Sequence, residues 1–210
     1  MVYPVKVIGV GPGHPDYLLP IALKQAALCT ALTGSARALA LFKTAGRPTW
    51  VIDGRLTAAL SFILEQQKKG PVGVLVSGDP GFYSLLGYLK RYFSLEELEV
   101  YPGISSLQLA FARLGLPWQE AALVSLHGRS AADLPAILKE HRLLGLLVDP
   151  ATDLAELAAM FQECGPWKVY LCRNLSYPDE SITLINESRL AGQPALNNTV
   201  VVIERDEHEP

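Results

Sequence analysis

The chain has 210 residues, half of them hydrophobic and 19% charged, enough to bury one large core or two small ones. A net charge of −3 argues against a nucleic-acid partner. The apolar blocks are short and broken by Gly, Pro or charge, so none suits a bilayer span.

The opening residues "MVYPVKVIGV" lack the charged region, apolar run and cleavage site of a signal peptide, so a soluble cytoplasmic protein is expected. Cys29, Cys164 and Cys172 form no C-x-x-C pair and sit in apolar segments, where cysteine behaves as a small hydrophobe. His14, His127, His141 and His208 have no metal-ligand spacing with one another or with the cysteines, and no metal site is expected.

In chain order, Val5 to Val10 reads as a strand, followed by a helix from Tyr17 to Leu28, a weak strand near Ala31 and a helix from Ser35 to Phe42. Thr49 to Ile52 is a strand, Leu56 to Lys69 a helix, and Val72 to Ser77 a continuous apolar strand of the kind covered on both faces of a parallel sheet. Tyr83 to Phe93 reads as helix, Leu98 to Tyr101 as strand and Leu107 to Leu114 as helix. This alternation predicts an α/β fold with a mainly parallel sheet.

At "LGLPWQE", Leu114 to Glu120, a Gly-x-Pro turn marks the expected boundary between domains 1–116 and 117–210. The first carries 11 Lys and Arg against 7 Asp and Glu, a balance of +4; the second carries 7 against 14, a balance of −7. That asymmetry fits a charged ligand on the first half, two lobes attracting across a cleft, or solvated surface charge with an acidic tail from Glu204 to Glu209. The second half continues with a strand at Ala122 to Leu126, a helix from Ala131 to His141 and a strand at Leu143 to Val148. A helix from Leu154 to Cys164 and a strand at Lys168 to Arg173 follow. Two further strands, Ile182 to Asn186 and Val200 to Glu204, have no full helix between them, which predicts a mixed sheet.

Three loops carry the chemistry. "VIGVGPGHPD" has Gly9, Gly11 and Gly13, but a dinucleotide fingerprint places its third Gly where His14 stands, and Pro12 and Pro15 remove donors and disfavour a helix start. No Gly-Lys-Ser/Thr follows, so a phosphate turn is disfavoured. What remains is a rigid turn at the carboxyl end of the first strand, either a ligand edge or a plain connection. "SGDPGFYSLL" repeats the pattern, with Asp79 as a helix cap or as part of a site for a polar, cationic small molecule. In "YPGISS", Ser105 or Ser106 caps a helix whose remaining amides stay available to a ligand. If the strands are parallel, these loops meet at one edge.

In that order the three motifs, Gly9 to Gly13, Gly78 to Pro80 and Pro102 to Ser106, resemble the tetrapyrrole (corrin/porphyrin) methylases, over nearly the whole chain. "SGDPGFYSLL" and "YPGISSLQLAFARLGLPWQEAALVSLHGR" are most similar to the branch that methylates C5 of precorrin-7 or cobalt-precorrin-7 in cobalamin synthesis. The resemblance implies a two-domain α/β architecture with a cleft, a homodimer, S-adenosyl-L-methionine as methyl donor, and a separate decarboxylating C15-methyltransferase as partner. It implies donor contacts from Pro12, Gly78, Asp79, Phe82, Ser105 and Ser106, and from Val148, Leu175 and Asn198 in the second domain. Gly11, Gly13, Arg37, His127 and Arg129 are the expected tetrapyrrole contacts, since its carboxylate arms call for cations.

The chain departs from the family's habit at Leu19, where Thr is frequent, and at Ser84, where Gly is frequent; "LTGSARAL" lacks a second Gly before Arg37. No dyad or triad is evident, in keeping with methyl transfer by alignment and exclusion of water. A methylase of another tetrapyrrole intermediate, a non-catalytic corrinoid-binding subunit and a nucleotide-dependent oxidoreductase are the rival readings.

Overall fold

The computed structural model describes residues 2–44, 46–194 and 197–206; His208 and the end of the acidic tail lie outside them. Two compact units, Met1–Ser105 and Ser106–Pro210, each enclose a five-stranded sheet.

The first unit comprises β1 (Val5–Gly9), α1 (Pro20–Ala27), β2 (Ala31–Gly34), α2 (Ala36–Ala40), β3 (Thr49–Val51), α3 (Leu56–Gln66), β4 (Val72–Val76), α4 (Leu86–Leu89) and β5 (Leu98–Tyr101). All its strands are parallel, in the order β3-β2-β4-β1-β5. β1 and β4 are buried at every residue because helices cover both faces. Alternate side chains go to opposite sides. Val5, Val7, Val72 and Val74 pack with Leu60 and Ile63 of α3, while Ile8, Leu32 and Leu75 pack with Ala22, Ala26, Ala38 and Leu39 of α1 and α2.

One charged residue is buried in β1. Lys6 Nζ donates to Gln25 Oε1 at 2.7 Å and lies 3.3 Å from Glu99 Oε2, which also accepts from the Tyr101 hydroxyl at 2.6 Å. Burial and the Glu99 carboxylate push the Tyr101 phenol up to about 12. The network fixes β5 beside β1 just ahead of the Pro102 loop.

The second unit runs α5 (Ser106–Leu114), β6 (Ala122–Ser125), α6 (Leu134–Glu140), β7 (Leu143–Val148), α7 (Leu154–Glu163), β8 (Trp167–Arg173), β9 (Ser181–Ile185), α8 (Glu187–Leu190) and β10 (Thr199–Arg205). Its order is β6-β7-β10-β8-β9, with β6 and β7 parallel and the remaining pairs antiparallel. The α/β class with one parallel and one mixed sheet is as the sequence predicts. The units divide at the start of α5, ahead of the charge change near Leu114 to Glu120. Leu107 and Phe111 of this helix pack on β7, where a Cβ at Gly145 would stand 2.7 Å from Leu107 Cδ2.

Three elements depart from expectation. The helix expected from Tyr17 is a 3-10 turn at Pro15–Tyr17, followed by α1 with Pro20 in its first turn. The helix expected over Tyr83 to Phe93 shrinks to α4, because Tyr83 is left-handed (φ 46°) and Ser84 Oγ bonds the Pro80 carbonyl and accepts from Leu86 N. The helix expected from Ala131 starts at Leu134. Among the described residues no helix is long and apolar enough to cross a membrane.

Candidate functional site

In the first unit the three glycine-bearing loops leave adjacent parallel strands, β4, β1 and β5, at the same edge. They are joined backbone to backbone. Gly78 N donates to Gly11 O at 2.9 Å, and Gly11 N returns a bond to Gly78 O at 3.4 Å. The approach is too close for side chains at two positions. A Cβ on Gly9 would lie 2.6 Å from Gly103 N, and one on Gly103 would lie 2.2 Å from Gly78 O.

Asp79 completes the junction. Its position before Pro80 keeps it extended, and its Oδ1 accepts from Gly81 N at 2.7 Å in an Asx turn. Oδ2 reaches past β1 to accept from Gly103 N at 3.1 Å. Asp79 therefore ties two loops together and does not cap α4, correcting one of the two sequence readings. Gly11, Pro12 and Gly13 are buried, Gly78 and Asp79 half-buried, and Phe82 is half-buried with its ring edge-on to Tyr83 at 4.8 Å. Ser105 is buried just ahead of α5 and Ser106 begins that helix. Arg37 of α2 is exposed beside the edge, its Nη2 donating to Ser77 Oγ at 3.2 Å.

This arrangement has a chemical consequence. The amides of Gly11, Gly78, Gly81 and Gly103 already donate to protein acceptors, and Pro12 and Pro80 have none. A phosphate turn draws on free N–H groups and these four are committed, whereas the edge presents a carboxylate with lone pairs to spare. Such an edge suits a ligand carrying cationic groups, and the residues fit a sulfonium and an amine better than a pyrophosphate.

The second unit gathers its own residues at one edge. Val148 ends β7 opposite Thr199 of β10, which is opposite Arg173 of β8. Asn198 immediately precedes Thr199, and its carbonyl accepts from Asn174 N at 3.1 Å; Leu175, next in the chain, is buried. Val148, Leu175 and Asn198 thus meet at one end of the sheet. His127 and Arg129 are exposed on the turn after β6, beside β7 at the same end, with Arg129 N bonded to Leu126 O at 3.0 Å.

Sequence reasoning missed the residues that hold this second edge. Asp149, directly after β7 and before Pro150, accepts from Ala151 N at 3.0 Å on Oδ1 and from Gly128 N at 2.9 Å on Oδ2. Glu180 accepts from Ser176 N and from Arg113 Nε of α5, both at 2.6 Å, and the Arg113 bond leads in holding its carboxyl below the usual range. Asn174, Ser176 and Asn198 are all left-handed, at φ 48°, 76° and 57°, a cluster that marks the site as strained. A second Asp-Pro after an apolar strand was the available signal for Asp149.

Among known proteins, residues 4–191 match the family described as Tetrapyrrole (Corrin/Porphyrin) Methylases. The chain is 30% identical over 203 residues to the cobalt-precorrin-7 C(5)-methyltransferase of Salmonella typhimurium, covering 96% of this chain and 100% of that one. It is 43% identical over 95 residues to the decarboxylating precorrin-6Y C(5,15)-methyltransferase of a Sinorhizobium species, covering 43% of this chain and 23% of that protein. The crystal structure of the precorrin-6Y methylase of Archaeoglobus fulgidus superposes with a TM-score of 0.78 at 25% identity, over 98% of this chain and 100% of that one.

Proposed function

The chain belongs to the tetrapyrrole (corrin/porphyrin) methylases, and on that premise we propose that it methylates C5 of precorrin-7 or cobalt-precorrin-7 in cobalamin biosynthesis, with S-adenosyl-L-methionine as donor. The observation that carries the reading is the junction of the Gly9, Gly78 and Gly103 loops under the Asp79 carboxylate, an edge with acceptors for a cation and with the Gly11, Gly78, Gly81 and Gly103 amides already committed. When bound, the donor supplies a methyl group already activated by its positive sulfur, so the protein's work is alignment and exclusion of water.

In this reading Pro12, Gly78, Asp79, Phe82, Ser105 and Ser106 hold the donor from the first unit, and Val148, Leu175 and Asn198 from the second. Gly11, Gly13, Arg37, His127 and Arg129 face the tetrapyrrole, the two arginines pairing with its carboxylate arms. The reading carries with it a homodimer and a cytoplasmic setting. A separate protein performs the decarboxylating C15 step that the name of the Sinorhizobium relative joins to C5 methylation.

The decisive experiment is mass spectrometry after incubation with S-adenosyl-L-methionine and precorrin-7, with and without cobalt. A gain of one methyl group on either form is expected; a gain on neither overturns the assignment.

A further inference from the structure

The turn that carries His127 and Arg129 has little packing to hold it. Gly128 is left-handed (φ +62°), and a Cβ built there would meet nothing within 4 Å. Its conformation rests instead on hydrogen bonds, and Gly128 N donates to a carboxylate from the neighbouring strand, Asp149 Oδ2, at 2.9 Å.

Asp149 is only 9% exposed, and its other oxygen is committed as well. Oδ1 accepts from Ala151 N and from the Thr152 hydroxyl, each at 3.0 Å. Burial works against the ionised carboxyl, but Thr152, the Gly128 and Ala151 amides and the nearby His127 together hold it below the usual carboxylate range. With both oxygens engaged by protein donors, this group acts through what it holds. Beside it lies a hollow of about 320 Å³ within the second unit, whose charged lining is Arg129, Asp149, Asp153 and Glu156.

Asp149 also bears on the His127 ring. Its Oδ2 stands 4.0 Å from His127 Nε2, while the His127 side chain is 74% exposed. The ring therefore stands largely in solvent, on the same turn as exposed Arg129. The arrangement repeats that of Asp79, which also precedes a proline, closes an Asx turn two residues on, and takes the amide of a glycine from another strand's loop.

We propose that Asp149 is the positioning residue of the second edge, holding the His127–Arg129 turn so that both side chains meet the carboxylate arms of the tetrapyrrole. The inference rests on the tetrapyrrole-methylase reading given above. It makes a specific demand: removal of Asp149 weakens binding of the tetrapyrrole and leaves the methyl donor almost unaffected.

Asp149→Ala is the test, with precorrin-7 or cobalt-precorrin-7 affinity from absorbance titration and S-adenosyl-L-methionine affinity from calorimetry. Tetrapyrrole affinity is expected to fall about tenfold or more, the loss of a charged buried hydrogen bond, while donor affinity stays within about twofold. Hydrogen exchange at the Gly128 amide is expected to accelerate in step. If Asp149→Ala does not fold, Asp149→Asn, which keeps one acceptor oxygen, is expected to give the same split with a tetrapyrrole loss of about threefold. Equal loss of both ligands, undiminished tetrapyrrole affinity, or unchanged Gly128 exchange overturns the proposal while leaving the methylase reading intact. A wild-type protein that binds the donor and no tetrapyrrole overturns both.

Discussion

Asp79 and Asp149 stand at corresponding places on the two sheets, each at the end of a buried strand and before a proline, each bonded to an amide two residues on and to a glycine amide from another loop. Their surroundings differ. Around Asp79 the loops are pressed together, so that Gly9 and Gly103 leave no room for a side chain. Around Asp149 the partner glycine is in open space, and the rest of the edge is held by Glu180 and by the left-handed Asn174, Ser176 and Asn198. One edge is built from backbone, the other from side chains, and the two should fail differently.

The largest contrast is expected from adding one methyl group to each. In Gly103→Ala the Cβ meets Gly78 O at 2.2 Å and the Gly9 carbonyl carbon at 2.8 Å, so backbone must move. A loss of about 3 kcal/mol or more is expected, seen as a fall in Tm of roughly 10 °C and loss of donor binding. Gly128→Ala suffers only its left-handed backbone, about 1–2 kcal/mol. Equal costs by thermal unfolding would erase the distinction between the edges.

Next comes Asp79→Ala, which leaves the amides of Gly81 and Gly103 without their acceptor but touches none of the buried strand side chains. Donor affinity is expected to fall about tenfold while the fold is retained; unchanged affinity by calorimetry would remove Asp79 from the site.

Glu180 probes the side-chain edge. Glu180→Ala removes the acceptor shared by Ser176 N and Arg113 Nε, and about 1–2 kcal/mol is the expected cost, discounted because Arg113 is 40% exposed. The folded-state carboxyl is lowered from 4.5, chiefly by Arg113, so its contribution is complete above that value and fades as pH falls through the folded-state one. Wild type and variant should therefore converge in stability toward low pH. Each unit also carries a buried thiol as a reporter: burial pushes Cys29 up to about 11 and Cys172 up to about 12. In a Cys164→Ser background, Glu180→Ala is expected to speed labelling of Cys172 and not of Cys29; faster labelling of both would mean that the two edges open together.

The smallest effect concerns Leu19, the N-cap of α1, whose side chain makes no capping bond. Leu19→Thr is expected to add about 0.5–1 kcal/mol in thermal unfolding by capping the helix. Any loss of donor affinity in this variant would assign Leu19 to ligand contact instead.

How much of this was legible follows from the same contrast. Strands β5 and β7 lie where their apolar runs predict them, because burial on a sheet writes itself into hydrophobicity. The loops of the first edge were legible because a backbone contact that excludes Cβ demands glycine, and glycine is visible in a sequence. Asp149 and Glu180 were missed because a carboxylate that accepts a backbone amide looks, in a sequence, like any acidic residue beside a turn. The helix overread at Tyr83 shows the same limit: hydrophobic spacing continues through a segment where one left-handed tyrosine and one serine hydroxyl end the regular geometry. Ser84, seen first as a departure from the family's habit, is the residue that makes this turn.

The reciprocal bonds between Gly11 and Gly78 carry a consequence for redesign. A junction made of main chain offers no side chain to exchange, so its shape is set by the path of the chain and resists gradual adjustment. Under the proposed function, retuning toward a different ring substituent falls instead to replaceable groups, those of Arg37 and of the turn that Asp149 restrains.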